Sequence, residues 1–107
     1  MYRYRATIKK VYDGDTVTAD IDLGFGVTLV KQKLRLLNID TPEVRGEERD
    51  IGLLCRDRLR DRILNENVTI KTYKDKKGKY GRWLVEIFLK DENINEWMLE
   101  ENLAKKY

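Results

Sequence analysis

Between Thr16 and Leu23 the chain alternates without a break. Val17, Ala19, Ile21 and Leu23 fall on one face, and Thr16, Thr18, Asp20 and Asp22 on the other. Period two over this length is the signature of a strand with one face on a core. Turn signals bound it, Asp13-Gly14 before and Gly24-Phe25-Gly26 after. Such a strand takes antiparallel neighbours from both flanking segments. Tyr4 to Asp13 supplies the first, with Tyr4, Ala6 and Ile8 alternating. Val27 to Ile39 reads as a long third strand, whose middle, Lys31-Gln32-Lys33, is too polar to be covered on both faces.

Beyond that sheet the period changes. Pro42, the only proline, follows Asp40-Thr41, which read as the cap of a turn with Pro42 in its first position. Ile51, Leu54, Cys55, Leu59 and Ile63 then recur at helical spacing. Cys55 lies on that stripe and reads as a small core residue. Val68 to Tyr73 and Trp83 to Leu89 are two further strands. Asn93 and Glu96 are spaced as a capping box for a last helix through Ile94, Trp97, Met98 and Leu103. The order β-β-β-α-β-β-α predicts a mainly β (α+β) fold. It suits a five-stranded OB-type barrel with a helix between strands 3 and 4 and a C-terminal helix. An α+β sheet with one covered face would read similarly. The 107 residues are enough for one domain, spanning 1–107.

Composition narrows the chemistry. There is no histidine, so Ser-His-Asp, Cys-His and His-metal sites are excluded. One cysteine makes neither an internal disulfide nor a zinc cluster. No run approaches the roughly 18 apolar residues of a membrane span. Met1 to Lys10 has no apolar leader core, the pattern of a cytoplasmic chain or of a mature secreted one. The net charge is only +3, but it is polarised. Lys71 to Arg82 sets six cations against Asp75, and Glu86 to Glu101 sets six carboxylates against Lys90. The first reads as a basic rim for a phosphate-rich partner, the second as an acidic face turned away from it.

Three clusters carry chemistry: Asp13-Gly14-Asp15-Thr16, the run Arg35 to Glu43, and Lys79-Tyr80-Gly81-Arg82. A tight turn accounts for Asp13-Gly14, and a cap for Asp40-Thr41-Pro42. Neither accounts for Asp15, Arg35 or Glu43. By strand alternation Arg35 shares a face with Leu37 and Ile39, a cation among apolar neighbours. Asp15 and Asp40 both stand at strand ends and both precede Thr. Hard oxygen donors of this kind suit Ca²⁺ or Mg²⁺. Arg35 and Arg82 can each grip a phosphate in a two-pronged bond, and Glu43 is a spare carboxylate able to take a proton from water. Three carboxylates would repel a phosphodiester even with two arginines present. One divalent cation brings the total charge to zero.

These clusters resemble the staphylococcal nuclease (thermonuclease) family over nearly the whole chain, from Ile8 to about Tyr107. The family's DGDTV, RLL-x-[IV]-DTPE and KYGR motifs occur in order, and Ile94-Asn95-Glu96 and Asn102-Leu103-Ala104-Lys105 are similar to its VNE…GLAK segment. The resemblance implies an OB-fold barrel and a Ca²⁺-dependent, sugar-nonspecific endonuclease that cuts DNA and RNA and leaves 3′-phosphates. Asp15 and Asp40 would hold one Ca²⁺ (Mg²⁺ or Mn²⁺ being alternatives), with the Thr41 carbonyl. Glu43 would be the general base, Arg35 and Arg82 the transition-state cations, and Lys79 and Tyr80 the substrate-binding pair. Asp13 would stand behind the ligands, and Tyr107 would match a nucleotide-site tyrosine. The segment from Glu43 to Gly52 is shorter than in the family's prototype, and Gly78 replaces an Asp. The expected partners are DNA and RNA, single strands preferred, with no membrane and a monomeric chain. Two other readings compete: an OB barrel that binds single strands without cutting them, and a protein-interaction domain using the acidic face. A binding-only barrel has no use for Asp15, Asp40, Glu43 and both arginines together.

Overall fold

The computed structural model describes residues 2–74 and 83–107. Five long strands form the body: β1 (Tyr2–Asp13), β2 (Thr16–Gly24), β3 (Val27–Leu36), β5 (Asn67–Lys74) and β6 (Trp83–Leu89). Their order is β3-β2-β1-β5-β6, all antiparallel, the two-residue β7 (Glu92–Asn93) pairs on β6, and β6 returns to pair in parallel with β3 over Leu34–Leu36. That last pairing closes the sheet into a barrel and removes its edges there. Register shifts between Ile8 and Lys10, and between Val11 and Asp13, let β1 coil around the barrel. The mainly β, five-stranded OB-type architecture is therefore as the sequence reading expects.

The alternation of the strands sets the core. Ala6, Ile8 and Val11 meet Val17, Ala19 and Ile21, with Leu34, Leu36, Ile70, Val85 and Ile87 completing the interior. Helix α1 (Arg49–Ile63) adds Cys55, Leu59 and Ile63, and helix α2 (Ile94–Glu100) adds Ile94 and Met98. The apolar stripe of α1 is rotated from its expected position. Ile51 and Leu54 are 60% and 59% exposed, and Gly52 is buried in their place. The cap of α2 is as expected on one side, Asn93 Oδ1 accepting from the Glu96 amide at 3.1 Å, but the helix ends at Glu100, before Leu103. No helix among the described residues is long and apolar enough to cross a membrane.

Two other expectations need correction. The third strand does not run to Ile39. It stops at Leu36, and Asn38 takes a left-handed φ of 64°, a conformation asparagine tolerates better than most residues. The chain then re-enters extended structure as the two-residue β4 (Ile39–Asp40), which pairs with β8 (Lys105–Lys106). Nor does Asp40-Thr41 cap a helical turn at Pro42. Residues 41–43 are irregular, and the first helical turn is a 3₁₀ turn at Gly46–Glu48.

Asn95 fastens the seam where β3 leaves β6. This buried side chain donates to the carbonyls of Leu37 at 3.0 Å and Val85 at 2.9 Å, and accepts from the Ile87 amide at 3.1 Å. Removing it strands backbone groups away from water, at roughly 1–3 kcal/mol for each left unpaired. Asn95→Ala is expected to lower the unfolding free energy by at least about 2 kcal/mol. Its urea midpoint beside that of the parent measures this.

Candidate active site

The turn between β1 and β2 is built to bury a carboxylate. Gly14 and Asp15 form it, and the Asp13 carboxylate accepts from the Asp15 amide at 3.0 Å. Gly14 has no positive φ here. Glycine is required for space, because a Cβ would meet the Thr41 side chain at 2.7 Å. That close approach brings the segment after β4 onto the turn. Asp15, 7% exposed, then accepts from the Thr41 amide through Oδ2 at 3.1 Å and from the Thr16 hydroxyl through Oδ1 at 3.2 Å. Its own carbonyl accepts from the Leu36 amide at 2.8 Å. One aspartate thus joins the β1–β2 turn, the end of β3 and the segment after β4.

Arg35 enters from β3. Leu34 and Leu36 point into the barrel, so alternation sends Arg35 to the opposite face. The break at Asn38 undoes the expected shared face with Ile39, which is buried in the core. Arg35 meets Ile39 through the backbone, Nη1 donating to its carbonyl at 3.2 Å. The same guanidinium lies 3.5 Å from Asp15 and 3.6 Å from Asp40, with side chains 13%, 11% and 56% exposed respectively. The cation therefore bridges a buried carboxylate and an open one, and solvent reaches the group from the Asp40 side. The Tyr107 ring packs on it, with Cζ 5.0 Å from the ring centre. The Tyr107 amide also donates to the Asn38 carbonyl at 3.0 Å.

Asp15, Arg35, Asp40 and Thr41 thus come together. Glu43 stands two residues beyond Thr41, exposed, and its carboxylate makes no hydrogen bond or ion pair among the described residues. Lys79, Tyr80 and Arg82, and most of the basic rim, lie outside the described residues. Gly52 is a site residue that apolar periodicity passes over. A Cβ on it would come within 2.0 Å of the Glu43 carbonyl oxygen, so α1 is the seat of the loop that carries Glu43. An isolated glycine inside a helical pattern is the one hint the sequence offers. Lys105 stands opposite Asp40 in the β4–β8 pair.

Burial, and then the neighbouring Asp15 carboxyl, push Asp13 up to about 7. The Thr41 hydroxyl is buried without a hydrogen-bond partner among the described residues. Every candidate donor here is a hard oxygen, as Ca²⁺ or Mg²⁺ requires. Among the described residues no three acidic, histidine or cysteine side chains gather as ligands. Asp15 and Asp40 are the two carboxylates of this cluster, with the carbonyl and hydroxyl oxygens of Thr41 beside them as further oxygen donors.

The pattern of the family described as "Staphylococcal nuclease homologue" matches residues 33–107, from the middle of β3 through both helices. The chain belongs to this family. Among its relatives are the thermonuclease of Staphylococcus intermedius, 30% identical over 101 residues, and that of Staphylococcus hyicus, 31% identical over 99. These alignments cover 92% and 90% of this chain but 56% and 55% of those proteins. An uncharacterized protein of Methanocaldococcus jannaschii is 27% identical over 129 aligned positions, covering 97% of this chain and 59% of that one. The chain spans a little over half the length of these relatives.

The seat at residue 52 yields a test of the site's construction. On intrinsic propensity, Gly52→Ala should stabilise a helix by about 1 kcal/mol. Because the new methyl meets backbone rather than a movable side chain, Gly52→Ala is expected instead to destabilise by roughly 1–3 kcal/mol. Chemical denaturation followed by circular dichroism gives the sign.

Proposed function

We propose that the 107 residues form a single nuclease domain that hydrolyses phosphodiester bonds of DNA and RNA in the presence of a divalent cation, Ca²⁺ first. The observation that carries this reading is the Arg35 guanidinium held between Asp15 and Asp40 at 3.5 and 3.6 Å, open to solvent on the Asp40 side. A guanidinium and two carboxylates, placed together on a chain of this family, are the parts that phosphodiester chemistry uses.

Asp15 and Asp40 would hold the cation, with the Thr41 carbonyl. The cation's contribution is to cancel the carboxylate charge and polarise the phosphate. Asp15 is fixed by the Thr41 amide and the Thr16 hydroxyl, so its oxygens need no reorganisation when a charge arrives. Arg35 has five N–H donors and hydrogen-bonds the Ile39 carbonyl with one, so others remain for the equatorial oxygens of a phosphate. Glu43, on the exposed loop, takes the proton of the attacking water, a role worth roughly 10²–10⁴-fold in rate. Arg82 is assigned as the second transition-state cation, and Lys79 and Tyr80 as phosphate or nucleotide contacts, on the strength of the motif. Attack that expels the 5′-oxygen leaves 3′-phosphates. Single strands are the preferred substrate, since an unpaired chain bends onto the solvent-open side of Arg35 at less cost than a duplex.

The test uses single-stranded DNA and RNA with Ca²⁺, Mg²⁺, Mn²⁺ or excess chelator, with end groups identified. Cleavage is expected with a divalent ion and not with chelator, for both sugars. Glu43→Gln keeps the shape of the side chain and is expected to lower turnover by about 10²-fold or more, with oligonucleotide binding retained. Cleavage in chelator contradicts the metal assignment. Full activity of Glu43→Gln moves the base elsewhere, and binding without cleavage under every ion makes the chain a non-cutting barrel.

A further inference from the structure

The loop that carries Glu43 has few supports of its own. No backbone–backbone hydrogen bond among the described residues holds Pro42 to Val44, and the segment belongs to no helix or strand. Glu43 lies midway between two side-chain ties. Two residues before it, the Thr41 amide is bound by Asp15. Two residues after it, Arg45 Nη2 donates to the Tyr12 hydroxyl at 2.7 Å. Tyr12 sits near the end of β1, just before the Asp13-Gly14-Asp15 turn. Arg45 occupies the N-cap position of the 3₁₀ turn but makes no side-chain cap bond. Its guanidinium is given to the barrel instead.

The two ties differ in what they constrain. The Asp15 bond fixes where the loop begins, and Gly52 fixes its height by letting the Glu43 carbonyl rest on α1. Neither stops the loop from swinging about those points. The Tyr12–Arg45 bond closes that freedom by joining the far side of the loop to β1. Arg45 is also near enough to Glu43 to feel its charge, which adds to the hold of Tyr12 on the guanidinium's charged form.

We infer that Tyr12 and Arg45 are positioning residues, a latch that holds the Glu43 loop in register with the β1–β2 turn. This rests on the reading of Glu43 as the base. A base acts on the water only as the transition state forms, so loosening it removes an interaction from the transition state and not from substrate binding. The signature is a lower kcat at unchanged KM. One neutral partner lost from a single exposed hydrogen bond corresponds to a loss of about 3–10-fold.

The experiment compares parent, Tyr12→Phe and Arg45→Met, each with Glu43 and with Glu43→Gln. Tyr12 is 40% exposed, so Tyr12→Phe removes the hydroxyl with no core change. Backbone NMR order parameters at residues 43–46 read the latch, and steady-state cleavage of a single strand reads its use. With Glu43 present, both variants are expected to show lower order parameters there and to lose about 3–10-fold in kcat with KM unchanged. In the Glu43→Gln background kcat should not fall further, since the latch acts through that carboxylate. Unchanged order parameters in Tyr12→Phe overturn the latch. An equal loss of kcat in both backgrounds overturns its action through Glu43. A parent that cleaves nothing refutes the nuclease reading instead, and the order parameters still decide whether the latch exists.

Discussion

A carboxylate in the wall of a small barrel must be met by donors or by positive charge, because burial penalises its ionised form. Asp15 is met by both. Two hydrogen bonds and a guanidinium reach it from three separate parts of the chain. The β1–β2 turn is tight enough to present it, β3 ends where Arg35 can face it, and β4 follows at once so that Thr41 can bind it. An arrangement with so many partners has one low-energy geometry, and that geometry places Asp40 on the outer side of the same cation.

The rest of the fold divides the labour around this point. The closed barrel supplies stiffness, since Arg35 lies on the short stretch where β3 and β6 pair in parallel. Asn95 guards the place where that pairing ends. Helix α1 covers the barrel with Cys55, Leu59 and Ile63, is tied to it where Arg60 donates to the Val11 carbonyl at 3.3 Å, and offers Gly52 as the surface on which the Glu43 loop rests. The pairing of β4 with β8 brings residues 105–107 beside Asp40 and Arg35. Stability and the site are therefore coupled. The glycines and the asparagine that fasten the fold are also the residues that set the distances between the chemical groups.

Much of this was legible before any geometry. Thr16 to Leu23 alternates strictly, and β2 follows it to within one residue. Trp83–Leu89 is β6. Asp15 and Arg35, which neither the turn nor the cap accounts for, pointed to the place where the structure sets them beside Asp40. What was hidden had physical reasons. The third strand looks continuous because a left-handed Asn38 leaves the apolar pattern around it intact. Ile51 and Leu54 look like core because periodicity counts apolar residues, and it cannot see that a backbone carbonyl claims the face at Gly52. The β4–β8 bridge is two residues long on each side, too short to carry a period. The Tyr12–Arg45 bond joins residues 33 positions apart that show no pattern at all.

The central claim is that Asp15 and Asp40 form a seat for a divalent cation. Its most direct measurement is urea unfolding of the parent and of Asp40→Asn, with and without Ca²⁺. A ligand bound only by the folded state at about 100 times its dissociation constant adds about 2.7 kcal/mol of stability. The account predicts a gain of this kind in the parent and little or none in Asp40→Asn. An equal gain in both proteins, or no gain in the parent with Ca²⁺, Mg²⁺ or Mn²⁺, would contradict it.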